Sequence, residues 1–239
     1  MQNHVVCLKW GNKYSAQYVN RLYAMVKRNL TFAFQFHCMT EDAQDINPEI
    51  NILPLETSDL TGWWYKLHIF KKDFYGLEGQ LLFIDLDMVI IKNLDEFFTY
   101  TPEKFCIMPE LNNSGRYGSC LMRLEIGKQT LVWDNFASNS AAITQRLHGD
   151  QDWIFQQLPN ASLWPKTWIQ SYKYHCDSKT KYNFHFLNKL IKPFTAGQAK
   201  LPPQAKIIAF HGKPDPEDIV NNYYRRYKKA SWLKDYWHE

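Results

Sequence analysis

Five residues, Gln80-Leu81-Leu82-Phe83-Ile84, constrain this chain more than any other stretch. Gly79 opens the segment, four consecutive apolar side chains fill it, and Asp85-Leu86-Asp87 closes it. A half-exposed strand alternates apolar and polar residues, whereas an unbroken apolar run belongs to a strand covered on both faces. His4-Val5-Val6-Cys7-Leu8 is a second run of the same kind, ended by the turn pair Gly11-Asn12. Between the two lie segments of helical period. Ser15 suits a helix N-cap, and Tyr18, Leu22, Met25 and Val26 follow on one face. Thr31–Met39 and Asn51–Leu55 read as further strands, and Trp63, Leu67, Phe70 and Phe74 as a second helical stripe. Strands alternating with helices predict an α/β domain with a Rossmann-like, mainly parallel central sheet flanked by helices.

The second half is less regular. Met88-Val89-Ile90-Ile91 resumes the apolar run after the two acids. Phe105–Met108, Gly118–Leu124 and Lys206–Phe210 read as strands. Gln151–Leu158 reads as a short helix with Asp150 as its N-cap. Ser171–Pro203 shows no clear period. With 239 residues, 45% of them hydrophobic, and no internal repeat, one domain over residues 1–216 with a basic, aromatic tail over 217–239 is expected. No apolar run approaches a membrane span of about 18 residues. Met1-Gln2-Asn3-His4 leads straight into the first strand, with no secretory signal expected. The five cysteines are odd in number and form no CxxC pair, so they read as buried thiols of a reducing, cytoplasmic compartment. A net charge of +4 is compatible with an anionic ligand and does not demand nucleic acid.

Open α/β sheets bind ligands at the carboxyl ends of their strands. The Lys9–Tyr14 loop and the pair Asp85 and Asp87 fall there. Residues i and i+2 of a strand point to the same side. Two like charges so placed need a proton or a cation between them, and a hard divalent metal with oxygen ligands answers that need. Two solvated acids at a strand end would have the same sequence. His211, after another apolar strand, could add a third metal ligand. Gly212 would admit a close ligand, and Lys213 could neutralise a phosphate. Asp150 and Asp152 could simply stabilise a helix N-terminus, or, with Gln151, could grip sugar hydroxyls or a reacting centre. Lys66 is either a surface lysine or a diphosphate contact. Trp10 and Tyr14 are either loop aromatics or stacking partners for a nucleobase.

The order Tyr65-Lys66-Leu67-His68, Phe83-Ile84-Asp85-Leu86-Asp87, Asn93-Leu94-Asp95-Glu96-Phe97-Phe98, Gly149-Asp150-Gln151-Asp152 and His211-Gly212-Lys213-Pro214 resembles the glycogenin-like, retaining glycosyltransferases of family 8, which have the GT-A fold. The likeness runs from Val5 to about Pro216. It implies a single GT-A domain that moves a hexose from a nucleotide sugar, usually a UDP-sugar, to a saccharide, glycan or glycolipid acceptor. Asp85, Asp87 and His211 would hold Mn²⁺ or Mg²⁺. Leu8, Trp10, Tyr14, Lys66, Asp85, Leu86, Asp87, Gly212 and Lys213 would line the nucleotide sugar. Asp150, Gln151 and Asp152 would serve the transferring sugar, by front-face attack with retention. Gly118 stands where the family carries an asparagine, and Lys213 follows His211 more closely than is usual there.

Asp85-Leu86-Asp87-Met88-Val89 also fits the nucleophile motif of haloacid-dehalogenase-like, Mg²⁺-dependent phosphatases. That motif normally follows the first strand, whereas roughly a third of this chain precedes it. A non-catalytic sugar-nucleotide-binding relative is a third reading, against which both intact acids speak. The tail, Tyr223 to Trp237, mixes aromatic and basic residues. It would suit either packing onto the domain or peripheral contact with the inner face of an anionic membrane.

Overall fold

The computed structural model describes residues 2–55, 60–112, 114–177, 197–225 and 227–239. Among the described residues ten strands form two sheets: β1 (Asn3–Lys9), β2 (Gln35–Thr40), β3 (Asn51–Pro54), β4 (Gln80–Ile84), β5 (Met88–Ile90), β6 (Cys106–Pro109), β7 (Tyr117–Glu125), β8 (Ser162–Leu163), β9 (Ile169–Ser171) and β10 (Ile207–Ala209). The larger sheet has the order β3-β2-β1-β4-β7-β6-β8. Its β3–β2, β2–β1 and β1–β4 pairs are parallel, as are β6 and β8, while β7 runs antiparallel to both β4 and β6. The expected mainly parallel sheet is present, with one reversed strand beside its centre. The continuous apolar runs are its central strands: Val5, Val6, Cys7 and Leu81 to Ile84 are all fully buried.

Helix α1 (Ala16–Asn29) covers one face. Its Ser15 cap is extended, as expected, but makes no side-chain cap bond. Tyr18, Val19, Leu22, Met25 and Val26 are buried against Val5, Cys7, Leu82 and Ile84. Burying such side chains contributes about 1.5–3 kcal/mol apiece. Lys27 and Arg28 in the last turn complement the helix dipole.

On the other face lies Gly62–Phe70, where the apolar stripe predicts an α-helix. The segment is a 3₁₀ helix of nine residues, long for its type. From Trp64 to Phe70 every residue is buried, so neighbours on all sides hold the segment and helical period matters little. Trp64 stacks on Phe136 at 5.4 Å between centroids. Two short helices, α2 (Asp95–Thr99) and α3 (Leu131–Ala137), precede α4 (Ser140–Arg146) and α5 (Asp150–Gln157).

The smaller sheet, β5-β10-β9, packs into the same core as α1. Ala230, Leu233 and Trp237 of the tail join that core. The Trp237 ring lies 5.3 Å from Tyr18 and beneath the Arg21 guanidinium at 4.1 Å. Arg28 Nη2 donates to the carbonyls of Tyr236 and His238. Tyr224, Tyr227, Trp232, Tyr236 and Trp237 pack against the domain, whereas Tyr223 is exposed; Arg226 lies outside the described residues, as does most of the aperiodic Ser171–Pro203 stretch. Among the described residues no helix is long and apolar enough to cross a membrane. All five cysteines are free, four of them buried and Cys120 partly so.

Candidate active site

The carboxyl ends of β1 and β4 lie side by side because these strands pair in parallel, with Val6 opposite Phe83. Asp85 leaves β4 with its N–H donated to the Cys120 carbonyl of β7 at 2.9 Å. Two residues on, Asp87 is gripped by the other sheet: its carbonyl accepts the Phe210 N–H at 3.0 Å. That bond continues the antiparallel β5–β10 ladder, in which Met88 faces Ala209. The ladder sets His211 beside the acidic turn, although more than 120 residues separate them in the chain. The end of β10 is thus brought to the acidic turn by backbone pairing.

Lys66 is the centre of the charge arrangement. Its Nζ donates to Asp85 Oδ2 at 2.7 Å, and its side chain is only 8% exposed. Burial alone would disfavour the ammonium, but Asp85 and Asp150 outweigh it and hold the Lys66 pKa well above that of a free lysine. Lys66 is no surface lysine. Asp150 is buried at the start of α5. It is the first helical residue, with extended Gly149 as the N-cap, so the capping role expected of Asp150 belongs to its neighbour. Burial and Asp85 raise the Asp150 pKa against the opposing pull of Lys66 and the Ser119 hydroxyl. Asp150 Oδ2 has no hydrogen-bond partner among the described residues. Gln151 is partly buried beside it. Asp152 turns outward and accepts from Arg116 Nη2 at 2.8 Å.

The Tyr14 hydroxyl donates to Asp87 Oδ2 at 3.1 Å, tying the β1 loop to the acid pair. Asp87 is pushed up to about 7 by burial and by Asp85, against the pull of Lys13 and Lys66. Asp85, Asp87 and Asp150 thus share the charge of one buried lysine, Lys66. Trp10 is exposed, Leu8 is partly buried at the end of β1, and Leu86 is buried in the core, so only its backbone can face a ligand.

The loop after β10 differs from expectation in one respect. Lys213 Nζ is held at 2.9 Å by both Asp215 and Asp218. Asp215 and Asp218 also form the capping box of the short helix Pro216–Ile219. Gly212 has φ +62°, where a side chain is strained. The His211 Nε2 shares a 2.7 Å hydrogen bond with Ser171 Oγ, and the His211 carbonyl accepts from Lys173 Nζ. Burial, Lys173 and His175 lower the His211 pKa. Among the described residues no three His, Cys, Asp or Glu side chains are grouped as a metal cage. Ser171 and Lys173 gave no signal in the sequence, because they reach His211 only through the parallel β9–β10 pairing.

No family model and no curated protein matches the chain. Solved structures do. The glycosyltransferase GlyE of Streptococcus pneumoniae TIGR4 superposes with a TM-score of 0.61 at 13% identity, covering 90% of this chain and 56% of GlyE. The galactosyltransferase LgtC, solved with donor and acceptor sugar analogues, gives a TM-score of 0.61 at 11% identity, covering 89% of this chain and 88% of LgtC. The bifunctional glycosyltransferase WbbM gives 0.61 at 12% identity, with 91% of this chain and 47% of WbbM covered. The chain thus spans about half the length of the GlyE and WbbM chains. The fold is that of these glycosyltransferase structures, a mixed α/β GT-A architecture around a largely parallel sheet.

Proposed function

We propose that the protein is a glycosyltransferase that moves a hexose from a nucleotide sugar, in the first instance a UDP-sugar, to a saccharide or glycolipid acceptor with retention of configuration. The observation that carries this reading is the trio Asp85, Asp87 and Asp150 gathered around Lys66 at the carboxyl edge of a glycosyltransferase-like sheet. The donor set fits a hard divalent cation. It offers the carboxylate oxygens of Asp85, Asp87 and Asp150 around one buried lysine, and burial together with Asp85 pushes Asp87 toward protonation, a cost that a bound cation would relieve. Asp85 and Asp87 would hold Mn²⁺ or Mg²⁺, with His211 as third donor. When bound, the ion supplies Lewis acidity to the leaving diphosphate.

The chain's own groups account for the remaining needs. Tyr14 fixes the orientation of Asp87 through its hydroxyl. Lys66 places a permanent positive charge within reach of both the metal-binding edge and Asp150, where it offsets charge growing on the leaving group. Asp150 presents an unpaired buried acceptor, Oδ2, to a sugar hydroxyl. With Lys213 bound to Asp215 and Asp218, its use on a diphosphate would require exchange of those partners.

The test is release of free hexose and UDP from a panel of UDP-sugars in Mn²⁺, compared between wild type and Asp150→Asn. A metal-dependent turnover of one donor, lowered at least about 100-fold in Asp150→Asn, is expected. Absence of turnover with every nucleotide sugar, together with Mg²⁺-dependent hydrolysis of a phosphomonoester, would overturn the reading in favour of a phosphatase.

A further inference from the structure

We propose that Trp63 is the stacking platform for the acceptor, a pyranose-binding subsite at the rim of the acidic pocket. This rests on the transferase reading above. Trp63 is 47% exposed, although the seven residues that follow it are all buried. In a 3₁₀ helix, side chains three apart eclipse one another. Trp63 therefore stands on the same face of its segment as Lys66, one turn, or about 6 Å, before it. Lys66 bonds Asp85 below it.

A second element lies against the indole. The His148 ring lies 6.3 Å away at 61°, and a Cβ at Gly149 would stand 3.3 Å from the Trp63 indole nitrogen. Gly149 is the residue directly before Asp150. The indole is thus held along one edge by the loop that delivers Asp150, on the turn that delivers Lys66, while much of its surface stays in solvent. A pyranose has an apolar C–H face and a rim of hydroxyls. An indole against the residue that precedes Asp150 offers a plane for the first, and Asp150 Oδ2, buried and without a hydrogen-bond partner among the described residues, an acceptor for the second. A nucleobase would also stack on an indole. Trp10, exposed and 6.3 Å from the Tyr65 ring, already offers one at the end of β1, next to Tyr14.

The experiment uses Trp63→Leu and Trp63→Tyr, with lactose, maltose and cellobiose and their p-nitrophenyl glycosides as acceptor probes. Three quantities are read: stabilisation by UDP with Mn²⁺, the partition of a UDP-sugar between transfer and hydrolysis, and quenching of tryptophan emission by each glycoside. Trp63→Leu is expected to shift the partition toward hydrolysis by about tenfold at fixed acceptor and to abolish the Trp63 part of the quenching. Trp63→Tyr is expected to restore most of the transfer, and UDP is expected to stabilise all three proteins alike. An unchanged partition, no glycoside quenching in the wild type, or a loss of UDP stabilisation confined to Trp63→Leu would overturn the platform, the last marking a nucleobase contact instead. UDP failing to stabilise even the wild type would overturn the transferase reading itself.

Discussion

Replacing Lys66 by methionine keeps the aliphatic stem and removes the charge that joins three carboxylates. Lys66 Nζ and Asp85 Oδ2 are 2.7 Å apart, with side chains 8% and 19% exposed. Removing one partner of a buried pair costs about 3–5 kcal/mol, because the other charge is left buried alone. The partial exposure of Asp85 puts the expected loss near the lower end, about 3 kcal/mol at pH 7.5. The pH dependence follows from linkage. Asp87 and Asp150 are already raised in the folded protein, and losing Lys66 raises them further. Between the ordinary carboxylate range and those raised values, the folded variant holds protons that the unfolded chain has released. Its stability therefore falls as pH rises, by about 1.4 kcal/mol per pH unit for each such proton. Wild-type Lys66 stays charged throughout this range, so the gap between the two proteins should shrink on going from pH 7.5 to 5.5. Urea unfolding of both proteins at the two pH values, without divalent ions, measures this. A loss below about 1 kcal/mol at pH 7.5, or the same loss at both pH values, would show that Lys66 does not hold the carboxylates together.

Asp87→Asn removes a carboxyl whose ionisation, near pH 7, works against the metal-free fold; the folded state keeps its proton from the ordinary carboxylate range up to that point. The variant is expected to be about 1–3 kcal/mol more stable than wild type at pH 8 and to lose that advantage by pH 4, read by chemical denaturation. Arg123, fully buried in β7, donates to the carbonyls of Phe97, Phe98, Tyr100, Thr101 and Lys104. Arg123→Met leaves these acceptors dry and should cost more than about 3 kcal/mol, with Arg123→Lys recovering only part of it in the same assay. Ser171→Ala frees the His211 ring and should weaken Mn²⁺ binding, measured calorimetrically, by about 10–100-fold, with Ser171→Thr restoring it.

The parts of this fold legible in the sequence are those decided locally. Gly79 and Asp85 bracket β4 where the apolar run says, and the spacing of Tyr18, Leu22, Met25 and Val26 marks α1. What depended on distant partners was not legible. The reversal of β7 lies in its pairing with β4 and β6, and the long 3₁₀ helix is buried from Trp64 to Phe70. Arg123 looks out of place in an apolar strand until its five carbonyl partners around the α2 end and its following loop are seen. At the site, the acids of β4 could be found from their spacing. The partners of His211 and the unpaired oxygen of Asp150 could not, since both depend on how separate strands and helices meet. The acidic residues just after Lys213 were visible, and an ion pair across two and five residues was the signal that they, and not only a phosphate, compete for it.

The proposed nucleotide-sugar site is tested most directly by thermal unfolding with UDP, with and without Mn²⁺, on wild type and Asp87→Asn. A ligand at about 100 times its dissociation constant adds roughly 2.7 kcal/mol. In a domain of this size that is a rise of about 5–11 °C in Tm. The rise should require Mn²⁺ and vanish in Asp87→Asn. No shift with UDP and Mn²⁺, or an equal shift in Asp87→Asn, would contradict a metal-bridged diphosphate at Asp85 and Asp87.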